Sequence, residues 1–267
     1  MTDADTEPIV IEEKCNGVRV LRLNRPEKKN AFSTEMGWAI VNAVDAAVAD
    51  DDVRVVAITG VGGAFCSGAD ITPRRPTDPP PASVDEVVEM GIRLVKGTRL
   101  DCHKPVVAGI DGIAIGAGVS LAMCADIRMA SSAAKFHPGY ARLATSPDAG
   151  LTWTLPAAIG HERAMRFLLE LKMLDAEAAL ALGLVGEVAA ADGFDEAFLA
   201  YCERIAAVAP FAATETKRLV NKLNLPDNLE AHLRDELETT LRGLMSGDGR
   251  EARRALREKR TPVFTRR

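Results

Sequence analysis

The strongest constraint on this chain is a unit written twice: an apolar run, a turn of small residues, then a helical pattern. In the first copy Val53–Thr59 runs into Gly62-Gly63-Ala64-Phe65-Cys66-Ser67-Gly68-Ala69-Asp70-Ile71, and a helix is predicted from Ser83 to about Leu100. In the second, Pro105–Ile110 runs into Asp111-Gly112-Ile113-Ala114-Ile115-Gly116-Ala117-Gly118, with a short helix of small residues predicted to follow, over Gly118–Cys124. Strands joined by crossover helices lie parallel, so the repetition predicts an α/β fold, a mostly parallel sheet with covering helices. Glycines after strands turn the chain in any case. Two such turns after successive strands also let backbone NH groups approach a ligand oxygen closely, because no Cβ stands in the way.

The flanks fit the same plan. Ile9–Glu12 and Val18–Leu23 read as strands joined by an Asn16-Gly17 hairpin turn. Ser33 or Thr34 can cap a helix whose Met36, Ile40, Val41, Val44 and Ala47 share one face, ending at the acidic cluster Asp50-Asp51-Asp52. Between Thr72 and Pro81 five prolines fix φ and remove donors, so this stretch is a loop beside the turn it follows. Asp126–Ala130 is a further strand, and helical patterns dominate from Asp148 onward. The basic tail over residues 249–267 reads as a solvated helix face, with phosphate contact as the alternative.

Composition narrows the classes of function. The 267 residues carry 33 basic and 38 acidic side chains, a net charge of -5 that argues against a nucleic-acid partner. Five cysteines, Cys15, Cys66, Cys102, Cys124 and Cys202, are scattered without a CxxC pair, so neither a disulfide framework nor a metal site is indicated. No apolar run approaches the roughly 20 residues of a membrane span. A soluble cytoplasmic protein without a membrane partner is expected.

Four ordered segments resemble the enoyl-CoA hydratase/isomerase, or crotonase, superfamily: Leu23–Phe32, Gly63–Ile71, Lys104–Gly112 continuing to Ala125–Arg128, and Glu258–Phe264. The resemblance implies a spiral of repeated β-β-α turns over residues 1–200. It also implies a C-terminal helical region, 201–267, that forms homotrimers or homohexamers. The implied ligand is an acyl-CoA thioester, with coenzyme A part of the substrate and no separate cofactor. Adenine is expected at backbone groups around Ala31 and Ser67, with Lys28, Lys29, Phe264 and Arg267 as weaker contacts, the last two across a subunit boundary. Gly68, Asp70, Ile71 and Gly116 line the implied site, where Asp70 also orders its own turn. The implied oxyanion donors are the NH groups of Ala69 and Ala117. Ala117 stands where a common hydratase pattern has glycine, which matters only if that position needs a backbone conformation closed to a residue with a Cβ.

The side chains bear on the reaction. Alignment with the family places Ser120 and Tyr140 where hydratases carry two glutamates, and neither hydroxyl replaces a carboxylate base. Tyr140 is also a candidate for lining the acyl pocket. Asp148, in Thr145–Pro156, resembles the proton-moving aspartate of the dienoyl-CoA and epoxyphenylacetyl-CoA isomerase branches. A carboxylate working near neutral pH needs a pKa above its usual value of about 4, and burial beside Pro147, Leu151 and Trp153 would supply it. Capping of the helix through Trp153 is the structural alternative for Asp148. His137 is the weaker candidate base. Three functions stay open at this level: an isomerase, a hydratase using the same aspartate, and a non-catalytic acyl-CoA binder.

Overall fold

The structure, a computed structural model, describes residues 7–72, 76, 80–140, 146–222 and 246–265. Arg267 and most of the proline-rich stretch lie outside the described residues. Asn16 and Gly17, both at positive φ, turn β1 (Val10–Cys15) into the antiparallel β2 (Val18–Leu23). Strand β2 pairs in parallel with β3 (Val55–Gly60), then β4 (Val106–Ile110), β6 (Ile127–Ser131) and β9 (Glu187–Ala189) follow in one sheet. A smaller sheet holds β5 (Ile113–Ile115), β7 (Lys135–His137) and β8 (Leu174–Asp175).

The connections make a spiral. Each turn gives one strand to the large sheet, one extended segment to a second layer, and usually a helix. The second layer is continued by single parallel bridges, Phe32 to Ala69 and Cys66 to Ala114, and then by β5 against β7. The helices of successive turns are α1 (Thr34–Ala49), α2 (Val84–Lys96) and α3 (Ala117–Cys124). Ser33 caps α1 by accepting from the Met36 NH at 3.2 Å. At its other end the buried Lys104 ammonium donates to the carbonyls of Ala47 and Asp50, both at 2.6 Å. The helix predicted to reach Leu100 instead leaves α-geometry at Gly97 and closes with a π-helical turn over Gly97–Asp101.

Both faces of the large sheet are covered, so its central strands read as continuous apolar runs. Val56, Ile58, Val106, Ala108 and Ile110 face the core built with α1 and α2, while Val55, Ala57 and Val107 face α7 (Phe194–Ala206). A Cβ on Gly109 would lie 2.8 Å from the Phe198 ring, so glycine there lets α7 lie flush on the strand. Helices α4 (Leu151–Ile159), α5 (His161–Glu170), α6 (Ala176–Leu182), α8 (Pro210–Lys222) and α9 (Gly247–Glu258) complete the described elements. The helical pattern read from Asp148 onward is interrupted by β8 and β9, strands too short for an alternating signal. In the basic tail Arg254 and Arg260 pair with Glu251, and Arg260 also with Glu258.

Candidate active site

The two small-residue turns pack against each other. Cys66 NH donates to the Ile113 carbonyl at 2.9 Å, and Ile115 NH returns a bond to Cys66 at 3.0 Å. A Cβ on Gly118 would stand 2.4 Å from the Cys66 carbonyl oxygen, so this approach requires glycine. Gly116 has φ 51° and ψ -116°, a conformation open to glycine alone, and starts α3 as its N-cap.

Among the described residues, these contacts leave two backbone NH groups without a backbone acceptor. In the bridge at Phe32, Phe32 NH donates to Gly68 and Asp70 NH donates to Phe32, so the intervening Ala69 NH points the other way. Among the described residues it has no backbone acceptor. Ala117 is the first residue of α3, where helix geometry gives an NH no partner and the helix dipole is positive. Its φ lies outside the left-handed region, so the methyl group carries no strain there.

The turn Arg25–Phe32 is fastened beside the first loop by side chains. Asn30 is fully buried, donates to the carbonyls of Val61 at 2.9 Å and Ala64 at 2.7 Å, and accepts from Arg25 NH at 2.8 Å. Asp70 bridges Arg25 at 2.7 Å and Lys28 at 3.0 Å. Desolvation opposes its charge, but hydrogen bonds from Thr72, Arg25 and Lys28 outweigh this and hold the carboxyl well below the usual carboxylate range. Ser67 spends its NH on the Lys29 carbonyl and its hydroxyl on that of Lys28, both at 3.0 Å. Ala31 donates its NH to the Lys28 carbonyl and accepts at its own carbonyl from Arg25. The backbone groups expected at adenine are thus largely committed within the chain. Ile71, beside them, is exposed. Phe264 lies at the opposite end of the sheet, its carbonyl accepting from Arg54, which precedes β3. It is remote from its own chain's loops.

Ser120, Tyr140 and Asp148 come together. The Tyr140 hydroxyl donates to Asp148 Oδ1 at 2.6 Å and lies 2.5 Å from Ser120 Oγ, which is also 3.3 Å from the Asp148 carbonyl oxygen. Ser120 and Tyr140 are buried. Burial, and after it the Asp148 charge, pushes the phenol well above its usual range, so it remains a donor. The burial expected for Asp148 itself is not found: the residue is exposed, because it stands on a turn that precedes α4. It does not cap that helix either. Gly150 is the N-cap, and toward the helix Asp148 offers its carbonyl, which accepts from Leu151 NH at 2.9 Å, rather than its side chain.

The turn carrying Asp148 has Ala149 at φ 44° and Gly150 at φ 71°. It rests on α3, where the Cys124 thiol approaches the Ala149 carbonyl at 3.8 Å, and on α2, where Val95 lies under Gly150. Burial pushes the Cys124 thiol up to about 12 and Cys66, under the first loop, up to about 11. Arg99, on the π-helical turn, donates to the carbonyls of Met123 and Ala125 at the end of α3 and sits 5.8 Å from the Trp153 ring centroid. His137 is fully occupied, its Nε2 bonded to the Leu171 carbonyl and its Nδ1 accepting from Gly139 NH, both at 3.0 Å. Among the described residues no cluster of three or more His, Cys, Asp or Glu is placed to hold a metal ion. A cavity of about 330 Å³ behind the first loop, lined by Arg22, Thr59, Gly63, Asp111 and Asp195, contains none of the candidate residues.

Sequence reasoning missed Asn30 and Arg99 as parts of this frame. Asn30 carried a signal, since asparagine tolerates the left-handed φ of 55° found there. Arg99 carried none, because its placement depends on the π-helical turn.

A spiral of β-β-α turns with facing strand-end loops and appended helices is the crotonase fold. The family model for enoyl-CoA hydratase/isomerase matches residues 13–267, and the chain belongs to that family. It is 33% identical over 251 residues to the 1,2-epoxyphenylacetyl-CoA isomerase of Escherichia coli, covering 93% of this chain and 95% of the relative. It is also 33% identical to a protein of Rhodobacter capsulatus named "probable enoyl-CoA hydratase", over 95% of this chain and 96% of that one. The crystal structure of a probable enoyl-CoA hydratase/isomerase from Mycobacterium abscessus superposes with a TM-score of 0.86 at 32% identity, covering 96% of this chain and 98% of that one.

Proposed function

We propose that this protein is an acyl-CoA isomerase that uses one carboxylate. The thioester oxygen of the substrate accepts from the NH groups of Ala69 and Ala117, and Asp148 moves the proton. For a 3-enoyl thioester, Asp148 takes a proton from C2 and the C–H electron pair flows into the carbonyl, forming a dienolate. The two NH groups stabilise its oxygen. The same carboxyl returns the proton to C4, which leaves the double bond between C2 and C3. Loss of one such backbone donor typically slows reactions of this kind by about two to three powers of ten.

One observation carries this reading: the single carboxylate reaches the positions of the two hydratase glutamates through the hydroxyls of Ser120 and Tyr140. Those hydroxyls leave Asp148 to act alone. A second reading, hydration with Asp148 activating water, is favoured by the exposure of Asp148. Rates on 3-enoyl-, dienoyl-, epoxyphenylacetyl- and crotonyl-CoA separate the two. The isomerase reading requires turnover of at least one of the first three that exceeds crotonyl-CoA hydration and collapses in Asp148→Asn. In this reading coenzyme A is part of the substrate and no further cofactor takes part. We also assign the working form as a cytoplasmic homotrimer or homohexamer, which light scattering on the purified protein tests.

A further inference from the structure

We propose that Tyr140 is the positioning residue of Asp148, with Ser120 fixing the phenol in turn, so that Oδ1 is held and Oδ2 is the oxygen that exchanges protons with substrate. The proposal rests on the isomerase reading and adds a division of labour within the carboxylate.

Tyr140 donates its one proton to Asp148 Oδ1 at 2.6 Å. Its oxygen then accepts from Ser120 Oγ at 2.5 Å. The order of donors is fixed by counting protons: an ionised carboxylate only accepts, the phenol has one hydrogen, and the serine hydrogen remains for the phenol oxygen or the Asp148 carbonyl. Ser120 is held by α3, three residues after Ala117, so the chain ties the carboxylate to the same helix that presents one of the free NH groups. Side chains three apart on a helix share a face. An exposed aspartate on a turn would otherwise sample several rotamers, and a carboxylate that must reach two carbons in succession loses rate when its orientation is free.

Among the described residues, the Cys124 thiol from α3 and the Arg99 guanidinium from the π-helical turn also lie beside the turn and the start of α4.

The test is kcat and KM, measured separately, for wild type, Tyr140→Phe, Ser120→Ala and Asp148→Asn on whichever of the 3-enoyl, dienoyl and epoxyphenylacetyl thioesters the wild type isomerises, together with α-proton exchange in deuterated water. Tyr140→Phe removes one oxygen and keeps the ring. Its kcat is expected to fall about tenfold with KM little changed. Ser120→Ala gives a smaller fall in kcat, also with KM little changed, and serves alone if the phenylalanine variant does not fold. A kcat that stays at the wild-type value in both variants, with Asp148→Asn inactive, overturns the positioning role and leaves Asp148 as the base. Wild-type rates in Asp148→Asn, or neither turnover nor exchange by wild type on any of the three thioesters, remove the isomerase reading and the positioning role with it.

Discussion

The two halves of the candidate site are built by different means. The strand-end loops are a backbone device, in which Gly116 and Gly118 set torsions and clearances and the free donors belong to alanines whose side chains do nothing chemical. The Ser120–Tyr140–Asp148 chain is a side-chain device, assembled from α3, the loop after β7 and the turn before α4. Backbone groups come with the fold and hold their place through it, whereas side chains are exchangeable one at a time. In the proposed reading, one frame can therefore keep the same carbonyl grip while the proton-moving group changes. The names of the relatives, an isomerase and a probable hydratase at equal identity, are consistent with that division.

Asp148→Asn separates the halves most sharply. Removing a general base lowers turnover by about two to four powers of ten, and ligand affinity should change little because the backbone donors persist. Measured kcat together with binding of a saturated acyl-CoA checks both. Equal losses of rate and affinity would mean the halves are not separate. Gly118→Ala attacks the other half: its Cβ would meet the Cys66 carbonyl at 2.4 Å, and overpacking against backbone costs about 1–3 kcal/mol or more. The expected outcome is lost acyl-CoA binding together with a lower melting temperature, which calorimetry and titration report.

The same contrast explains what the sequence disclosed. The doubled unit, the hairpin at Asn16-Gly17 and the Ser33 cap all rest on local periodicity and turn chemistry, and β1, β2, α1, β3, β4 and α3 fall close to where those signals put them. The short second-layer strands were silent because two or three residues carry no period. Ser120, Tyr140 and Asp148 were each legible as candidates through the family resemblance. Their bond to one another was not, since it depends on how three separate elements meet. Nor was the exposure of Asp148, because apolar neighbours in sequence are not necessarily neighbours in space.

Buried thiols lie beneath both halves, Cys66 under the loop and Cys124 under the Asp148 turn, and they make a pH-dependent prediction. Their folded pKa values, about 11 and about 12, are raised above the ordinary 9.0 by burial. The stability they contribute is therefore complete below about pH 9. It is lost as pH rises through 9 to 12, because the unfolded chain releases these protons first. Each thiol contributes a slope of about 1.4 kcal/mol per pH unit between about pH 9 and its own folded pKa. Urea unfolding at pH 8 and pH 10.5 should show the decline, and a flat response would place both thiols in contact with water.

The smallest expected effect asks which device holds Asp148. Ala149 sits at φ 44°, where a residue with a Cβ is disfavoured by about 1–2 kcal/mol, and glycine relieves that strain while losing about 0.5–1 kcal/mol to the entropy of the unfolded chain. Ala149→Gly is therefore expected to raise stability by about 0.5 kcal/mol in denaturant unfolding. Its effect on turnover discriminates more finely than its effect on stability. If the hydrogen bond from Tyr140 places the carboxylate, loosening the backbone one residue away leaves kcat within about twofold of wild type. A fall as large as that of Tyr140→Phe would mean that the Asp148 turn holds its side chain by backbone torsion, and that this half of the site works by the same means as the loops.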